Sequence, residues 1–187
     1  MNGPETLEDL LLIEMSRRNT DLIADLVIQK PDLFDDLFKV FLRNDEPVSR
    51  RAAWVIDTVS EKIPLLLDPY LNIMTETLPE FTHDGLKRHA VHMLSRSPLP
   101  TQHLGELMNI CFTWLTSPKE SVAVKVYCMD ILYNISKQEP DLKKELADSI
   151  EWRMQEETPG FQNRARKMLD KLFKEIAFHI GSANIIG

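Results

Sequence analysis

Apolar residues recur along this chain at helical spacing, in runs separated by short polar breaks. The run that follows Pro31 is representative, with apolar side chains three and four positions apart at Leu33, Phe34, Leu37, Phe38, Phe41 and Leu42. This spacing places them on one face of a helix. No stretch alternates between apolar and polar residues with a period of two, as a half-buried strand would. The pattern therefore predicts helices throughout and no sheet.

Proline and turn-forming residues mark where the predicted helices begin. Proline is tolerated in the first turn of a helix but not in its interior. Four prolines therefore predict helix starts, at Pro31, Pro47, Pro118 and Pro140. Near the N-terminus, Thr6 is the expected N-cap of a first helix over Leu7–Met15, and a second helix is expected to begin at Thr20 or Asp21.

A longer pattern repeats four times. In each copy, a first apolar run leads through a polar break into a second run, which opens with an apolar residue and carries alanine or valine four positions later. These openings lie at Val48, Leu86, Val122 and Phe161, at intervals of 36 to 39 residues. A period in this range that is built from helix pairs alone is typical of an α-solenoid.

Two helices per repeat, a polar turn, and an apolar residue four positions before an alanine resemble the HEAT-repeat group of the armadillo-type solenoids, with the best match over 32–59. The resemblance implies an all-α, right-handed α-solenoid in a single domain over 1–187. About four helical hairpins would cover 31–178, and an extra helical pair at 6–29 would cap the open end. The residues 181–187 are expected to form a flexible tail.

Charge is spread unevenly along the 187 residues, whose net charge is −7. Residues 1–80 carry 16 acidic and 8 basic side chains, whereas 81–187 carry 13 and 14. Binding to nucleic acid needs a basic surface that neutralises phosphates. The acidic first half therefore disfavours nucleic acid as a general partner, although a local basic stripe stays possible.

Cysteine usage and the absence of long apolar stretches indicate the compartment. Cys111 and Cys128 lie within apolar helical runs, where buried free thiols of a reducing compartment are expected. The first residues have no signal-peptide pattern, and no apolar stretch is long enough to span a membrane. We expect a cytoplasmic protein without membrane contact.

The sequence contains little that would indicate catalysis, a cofactor or a metal site. The sequence has no glycine-rich phosphate loop, no His-Glu-x-x-His, no Cys-x-x-Cys and no nucleophile elbow. His89 and His92 are three positions apart on one predicted helix and could share an ion, with His83 or His103 as further ligands. No carboxylate or cysteine stands at ligand spacing beside them. We therefore predict no catalytic residue, no cofactor and no metal site.

The second helices of the repeats offer a better candidate site. The resemblance implies that they line the concave face of the solenoid, and basic or titratable residues recur on them. The predicted partner-binding residues are Arg51, Trp54, Arg88, His92, Lys125, Arg164, Lys167 and Lys171. If the helices stack in register, this set, together with His89 and Arg96, forms a cationic stripe. Such a stripe could hold an acidic peptide, a protein helix or a phosphate backbone.

Other interpretations of the same residues stay open. The bases could instead pair with acids of neighbouring repeats, such as Asp57, Glu61, Asp130 and Asp170. The leading functional hypothesis is a non-catalytic scaffold that binds a protein or acidic peptide. The alternative is a DNA-repair glycosylase that acts on alkylated bases, because some HEAT-like glycosylases resemble this architecture and use tryptophans and an aspartate, as Trp54 and Asp57 could.

Self-association is a third hypothesis. The last predicted helix carries apolar residues beyond its final repeat partner, at Phe173, Ile176, Phe178 and Ile180, with Ile185 and Ile186 after them. An uncovered C-terminal hairpin of this kind could form a homodimer.

Overall fold

The computed structural model describes residues 6–183, with side chains through residue 178. No strand occurs within this range, and the predicted all-α fold class is confirmed. The chain divides into two compact units, Met1–His103 and Leu104–Gly187. One continuous domain over 1–187 stays a prediction.

The first unit contains six α-helices among its described residues. They are α1 (Leu7–Ile13), α2 (Arg17–Gln29), α3 (Leu33–Leu42), α4 (Val48–Lys62), α5 (Leu71–Thr77) and α6 (Asp84–Arg96). Thr6 caps α1 as predicted, since its hydroxyl accepts the N–H of Asp9 while the Asp9 carboxylate accepts the N–H of Thr6. The start predicted for α2 at Thr20 or Asp21 is wrong. Ser16 is its N-cap, accepting the N–H of Asn19, so the helix begins at Arg17.

Helix α4 is the central helix of the first unit and packs against α1, α2, α3 and α6. Its small residues Ala52 and Ala53 are fully buried, which lets neighbouring helices approach closely. On α3, the apolar stripe predicted from the sequence is the core face. Its phenylalanines form a ring cluster with two aromatic residues from further along the chain: the members are Phe34, Phe38, Phe41, Tyr70 and Phe81.

Helix α5, which is the first helix of the second predicted repeat, is short. Three single turns of 3-10 helix surround α5, at Pro64–Leu66, Asp68–Tyr70 and Leu78–Glu80. Each contains a proline, which removes a backbone donor and cannot be accommodated inside an α-helix. The helical spacing of Tyr70, Leu71, Ile73, Met74 and Leu78 predicts a single helix here. Pro79 explains why the α-helical part ends at Thr77.

The second unit contains α7 (Leu104–Thr116), α8 (Val122–Ser136), α9 (Leu142–Met154) and α10 (Pro159–Ala183). These helices form two layers, because the first helices α7 and α9 contact each other and the second helices α8 and α10 do the same. Helix α8 begins later than Pro118 suggested, since Ser121 is its N-cap. Cys111 and Cys128 are both buried, and neither forms a disulfide.

The C-terminal helix is longer than predicted. Because α10 continues to Ala183, the expected tail does not begin at Gly181, and its remaining residues 184–187 lie outside the described range. Among the described residues, no helix combines the length and the hydropathy that crossing a membrane requires. The cytoplasmic location stays a prediction.

Candidate functional site

A buried carboxylate organises the polar residues between α4 and α6 in the first unit. The Nδ1–H groups of His89 and His92 both donate to Oδ2 of Asp57, at 2.8 and 2.9 Å. The Nη2 atom of Arg96 donates to the other oxygen, Oδ1, at 2.5 Å. Asp57 lies on α4, and its three partners lie on one side of α6. We call these four residues the Asp57 cluster.

Hydrogen bonding keeps this buried acid ionised. Burial by itself would raise the pKa of the Asp57 carboxyl, because a charged group is poorly solvated there. The hydrogen bonds and charges of His89 and His92 outweigh burial and lower the pKa to about 2. Asp57 is therefore a carboxylate at neutral pH, with both oxygens occupied by residues of its own chain.

Two further predicted site residues lie beside the Asp57 cluster. The indole ring of Trp54 stacks on the imidazole of His89, with ring centroids 6.5 Å apart. Arg88 is exposed, and its Nη2 lies 3.4 Å from Nε2 of His89. The structure thus brings together four predicted residues, Trp54, Arg88, His89 and His92, around an acid that the sequence offered only as a possible partner.

The same cluster contains atoms that could ligate a metal ion. Donor atoms of Asp57, Glu61 and His92 all lie within 4.8 Å of one another. These are the carboxylates that appeared to be missing when the histidines were considered from sequence. However, the guanidinium of Arg96 contacts Asp57 and lies 4.0 Å from Glu61. It already supplies the positive charge at the place where a metal would have to bind.

Arg51 is not free for a partner, contrary to its predicted role. Its Nη1 donates to the carbonyl oxygen of Leu11 at 2.9 Å. Leu11 lies in the last turn of α1, where carbonyl groups lack partners within the helix. The Nε of Arg51 is buried without a hydrogen-bond partner in the part of the chain described. Arg51 therefore links α4 to the N-terminal helical pair.

The prediction that Lys125 belongs to the surface stripe is also wrong. It is only 2% exposed, and its Nζ forms an ion pair with Oε1 of Glu157. Arg153, at the end of α9, donates to the same oxygen through Nε at 2.7 Å. Burial would raise the pKa of Glu157, but the hydrogen bonds from Lys125 and Arg153 outweigh it and lower the pKa. We call these three residues the Glu157 cluster.

The predicted residues on α10 remain at the surface. Arg164 is exposed and forms an ion pair with Asp130 of α8 at 2.8 Å. Lys167 is exposed, and no ion pair to it occurs within the described residues. Lys171 is exposed, and its Nζ lies 3.9 Å from the centre of the Tyr133 ring.

Tyr133 is a neutral phenol that contacts charged residues of α10. Its hydroxyl donates to Oε1 of Glu175 at 2.5 Å, and Glu175 also pairs with Lys143. Burial, together with the hydrogen bond and the charge of Glu175, raises the pKa of Tyr133 to about 12. The ring under Lys171 therefore stays protonated at any physiological pH.

The alternative interpretation of the bases explains several of these residues. Asp57, Glu61 and Asp130, named from sequence as possible partners, do pair with residues on the next second helix along the chain. The sequence reasoning missed Glu157 and Arg153. Their separation of four residues at a helix end is a signal for an ion pair. No pattern in the sequence around Lys125, however, indicated that it would pair with Glu157.

The C-terminal apolar residues are partly exposed. Phe173 is 46% and Phe178 77% exposed, while Ile176 is half-buried. The side chain of Ile180, together with Ile185 and Ile186, lies outside the described residues. The homodimer stays a hypothesis.

A comparison with known protein families places these observations in context. A family model described as a HEAT repeat domain matches residues 7–172, which is most of the chain. Searches of curated proteins and of solved structures gave no match.

Proposed function

The chain belongs to the HEAT-repeat family, and we propose that it is a non-catalytic helical-repeat protein that binds a protein or acidic peptide through its second helices. Family membership confirms the resemblance seen in the sequence. It supports a scaffold of paired helices, and the choice of partner rests on the charged residues of those helices.

The main support for the proposal is a row of exposed bases on α10. Arg164, Lys167, Lys171 and Lys174 are separated by three, four and three residues, so they share one side of the helix. Arg164 and Lys171 are held in place by Asp130 and Tyr133. A row of cations that is partly preordered in this way suits an acidic helix or peptide, because less side-chain entropy is lost on binding.

The proposed surface is smaller than the stripe expected from sequence. Arg51 and Lys125 no longer belong to it, because each is engaged inside its own unit. In the first unit, exposed Arg88 beside half-buried Trp54 is the part that remains available for a partner. In the second unit, the α10 row (Arg164, Lys167, Lys171 and Lys174) is the main candidate.

The glycosylase alternative has less support. Asp57 is ionised, as such chemistry would require, and Trp54 is nearby. Both oxygens of Asp57, however, accept hydrogen bonds from His89, His92 and Arg96. A substrate would have to displace these partners, which would uncover a buried charge at considerable cost.

A charge-neutralising pair of variants tests the α10 row. We would measure the binding of a fluorescent amphipathic peptide of glutamate and leucine by anisotropy, at low and physiological salt. Lys167→Gln with Lys171→Gln should weaken binding about fivefold, as expected for two exposed ion pairs. Lys119→Gln with Lys144→Gln removes the same charge from other exposed positions of the same unit and should change binding little.

Three outcomes would count against the proposal. The peptide could fail to bind at low salt, or the two double variants could weaken binding equally, which would indicate only a general charge effect. Preferential binding of a duplex with an abasic site, lost in Asp57→Asn, would instead favour the glycosylase.

A further inference from the structure

A cleft opens in the second unit beside the first helices α7 and α9, away from the α10 row. It encloses about 480 Å³, within the range of about 300–1,000 Å³ that is common for binding pockets. Its floor and walls are apolar and its edge is acidic. It is lined by Leu104, Gly105, Met108, Ile135 and Leu142, with Glu139, Asp141 and Glu145 at its edge.

The apolar part of the cleft is accessible to solvent. Leu104, Met108 and Leu142 are half-buried, and only Ile135 below them is fully buried. Covering such side chains with an apolar group from a partner would remove their surface from water, which is favourable. The flexible thioether of Met108 can adapt to groups of different shape.

The acidic edge determines which partner fits. Glu139, Asp141 and Glu145 are all exposed, and none of them forms an ion pair within the described residues. This separates them from the other clusters of the second unit, where Glu157, Asp130 and Glu175 each have a basic partner. Three uncompensated carboxylates around an apolar cleft attract cations and repel anions.

We propose that this cleft binds a segment of a partner protein in which an apolar side chain is flanked by lysine or arginine. The apolar side chain would occupy the space between Leu104, Met108 and Leu142. The basic residues would face Glu139, Asp141 and Glu145. This ligand is opposite in charge to the one proposed for α10, and the two surfaces share no residue.

Gly105 offers a way to close the cleft without damaging the fold. A Cβ atom added at Gly105 would have no other atom within 4 Å. Because glycine is among the poorest helix formers, a larger residue here should favour α7 rather than weaken it. Gly105→Phe should therefore fill the cleft, and Gly105→Ala is its matched control.

The test uses the full chain and a capped peptide, Leu-Lys-Lys-Leu-Leu-Lys-Lys-Leu. Its binding is followed by anisotropy and by the methyl resonance of Met108 in methyl-labelled protein, assigned through Met108→Leu. The peptide should shift this resonance, and the same peptide with glutamate in place of lysine should not. Gly105→Phe should abolish binding, while Gly105→Ala should preserve it. Thermal melts should show both variants to be as stable as the parent.

Charge variants test the acidic edge separately. Glu139→Gln with Glu145→Gln should weaken binding about fivefold, because two exposed ion pairs are lost. Glu151→Gln with Asp170→Asn removes two acids from the same unit outside the cleft. This control should change binding by less than about twofold.

The proposal would be overturned if the peptide left Met108 unchanged, if Gly105→Phe still bound it, or if the two charge variants behaved alike. It would also be overturned if the protein associated with itself on concentration and Gly105→Phe prevented this, since the occupant would then be a second copy. Because Lys167 and Lys171 lie outside the cleft, either surface can fail its test while the other passes.

Discussion

The two units of this chain each bury one acid, but they neutralise it differently. In the first unit, Asp57 is held by two imidazoles and by Arg96, whose side chain is 33% exposed. In the second unit, Glu157 is held by Lys125 and Arg153, whose side chains are 3% and 6% exposed. The bases around Asp57 are therefore more accessible to solvent than the bases around Glu157.

This difference indicates how each cluster responds when one member is removed. In the Glu157 cluster, two deeply buried bases share one carboxylate oxygen, and only Arg153 has a second acidic partner, the exposed Glu156. In the Asp57 cluster, the acid is shared among three donors, and Arg96 can reach water. The second unit should therefore be the more sensitive of the two to loss of its central acid.

The largest effect is expected for Glu157→Gln. The substitution leaves Lys125 buried without a negative partner and Arg153 with only the exposed Glu156, which should reduce the free energy of unfolding by about 3–5 kcal/mol. Urea denaturation monitored by circular dichroism would measure it. As a control, Lys144→Gln removes one partner of an exposed i,i+4 pair and should leave the midpoint almost unchanged. If Glu157→Gln lost less free energy of unfolding than Asp57→Asn, the first unit would be the more sensitive of the two.

The next effect is that of Asp57→Asn, and it should depend on pH. The pKa of Asp57 falls from 3.8 to about 2 on folding, which corresponds to about 2 kcal/mol of stability. A lowered pKa means that this contribution is complete above about pH 4 and disappears as the pH falls towards 2. The stabilities of the parent and Asp57→Asn should therefore converge over this interval.

Trp54 provides the readout for that experiment. It is the only tryptophan of the first unit and stacks on His89, so its fluorescence reports on this region once Trp114 and Trp152 are replaced by phenylalanine. A stability difference that stayed constant between pH 5 and pH 2 would show that the charge of Asp57 does not stabilise the fold.

The smallest of the three effects is expected for Arg96→Gln. Its guanidinium is partly exposed, and His89 and His92 still hold Asp57 in its absence. We expect a loss of about 1 kcal/mol in urea denaturation, typical of one hydrogen bond. Arg153→Gln, which alters the buried arginine of the other cluster, is the matched variant and should cost more. Equal costs would mean that exposure does not distinguish the two arginines.

The sequence predicted helices well where the signal was local. Thr6 as a cap, the apolar face of α3 and the break before Val48 are each determined by residues a few positions apart. The predicted helix ends were wrong where a nearby residue was better suited to begin or end the helix. Ser16 rather than Thr20 starts α2, because its hydroxyl reaches the N–H of Asn19, and Pro79 ends α5 early.

The candidate site was predicted only in part. Basic or titratable residues on the second helices were expected to line one stripe, yet four of them are engaged with other parts of the chain. Arg51 bonds to Leu11, His89 to Asp57, Lys125 to Glu157 and Arg164 to Asp130, over separations of 32 to 40 residues. The acidic cleft beside α7 and α9 had no signal in the sequence, because its lining comes from two separate stretches of the chain, 104–108 and 135–145.

The sequence by itself determined that this chain is a series of paired helices of the HEAT type. Helix formation and the choice of a buried face depend on residues three and four positions apart, and these are visible in the order of amino acids. The tertiary structure alone decided which charges are buried in ion pairs and which remain available to a partner. That outcome depends on which side chains meet across neighbouring helices, because these partners outweigh the effect of burial on the pKa of Asp57 and Glu157.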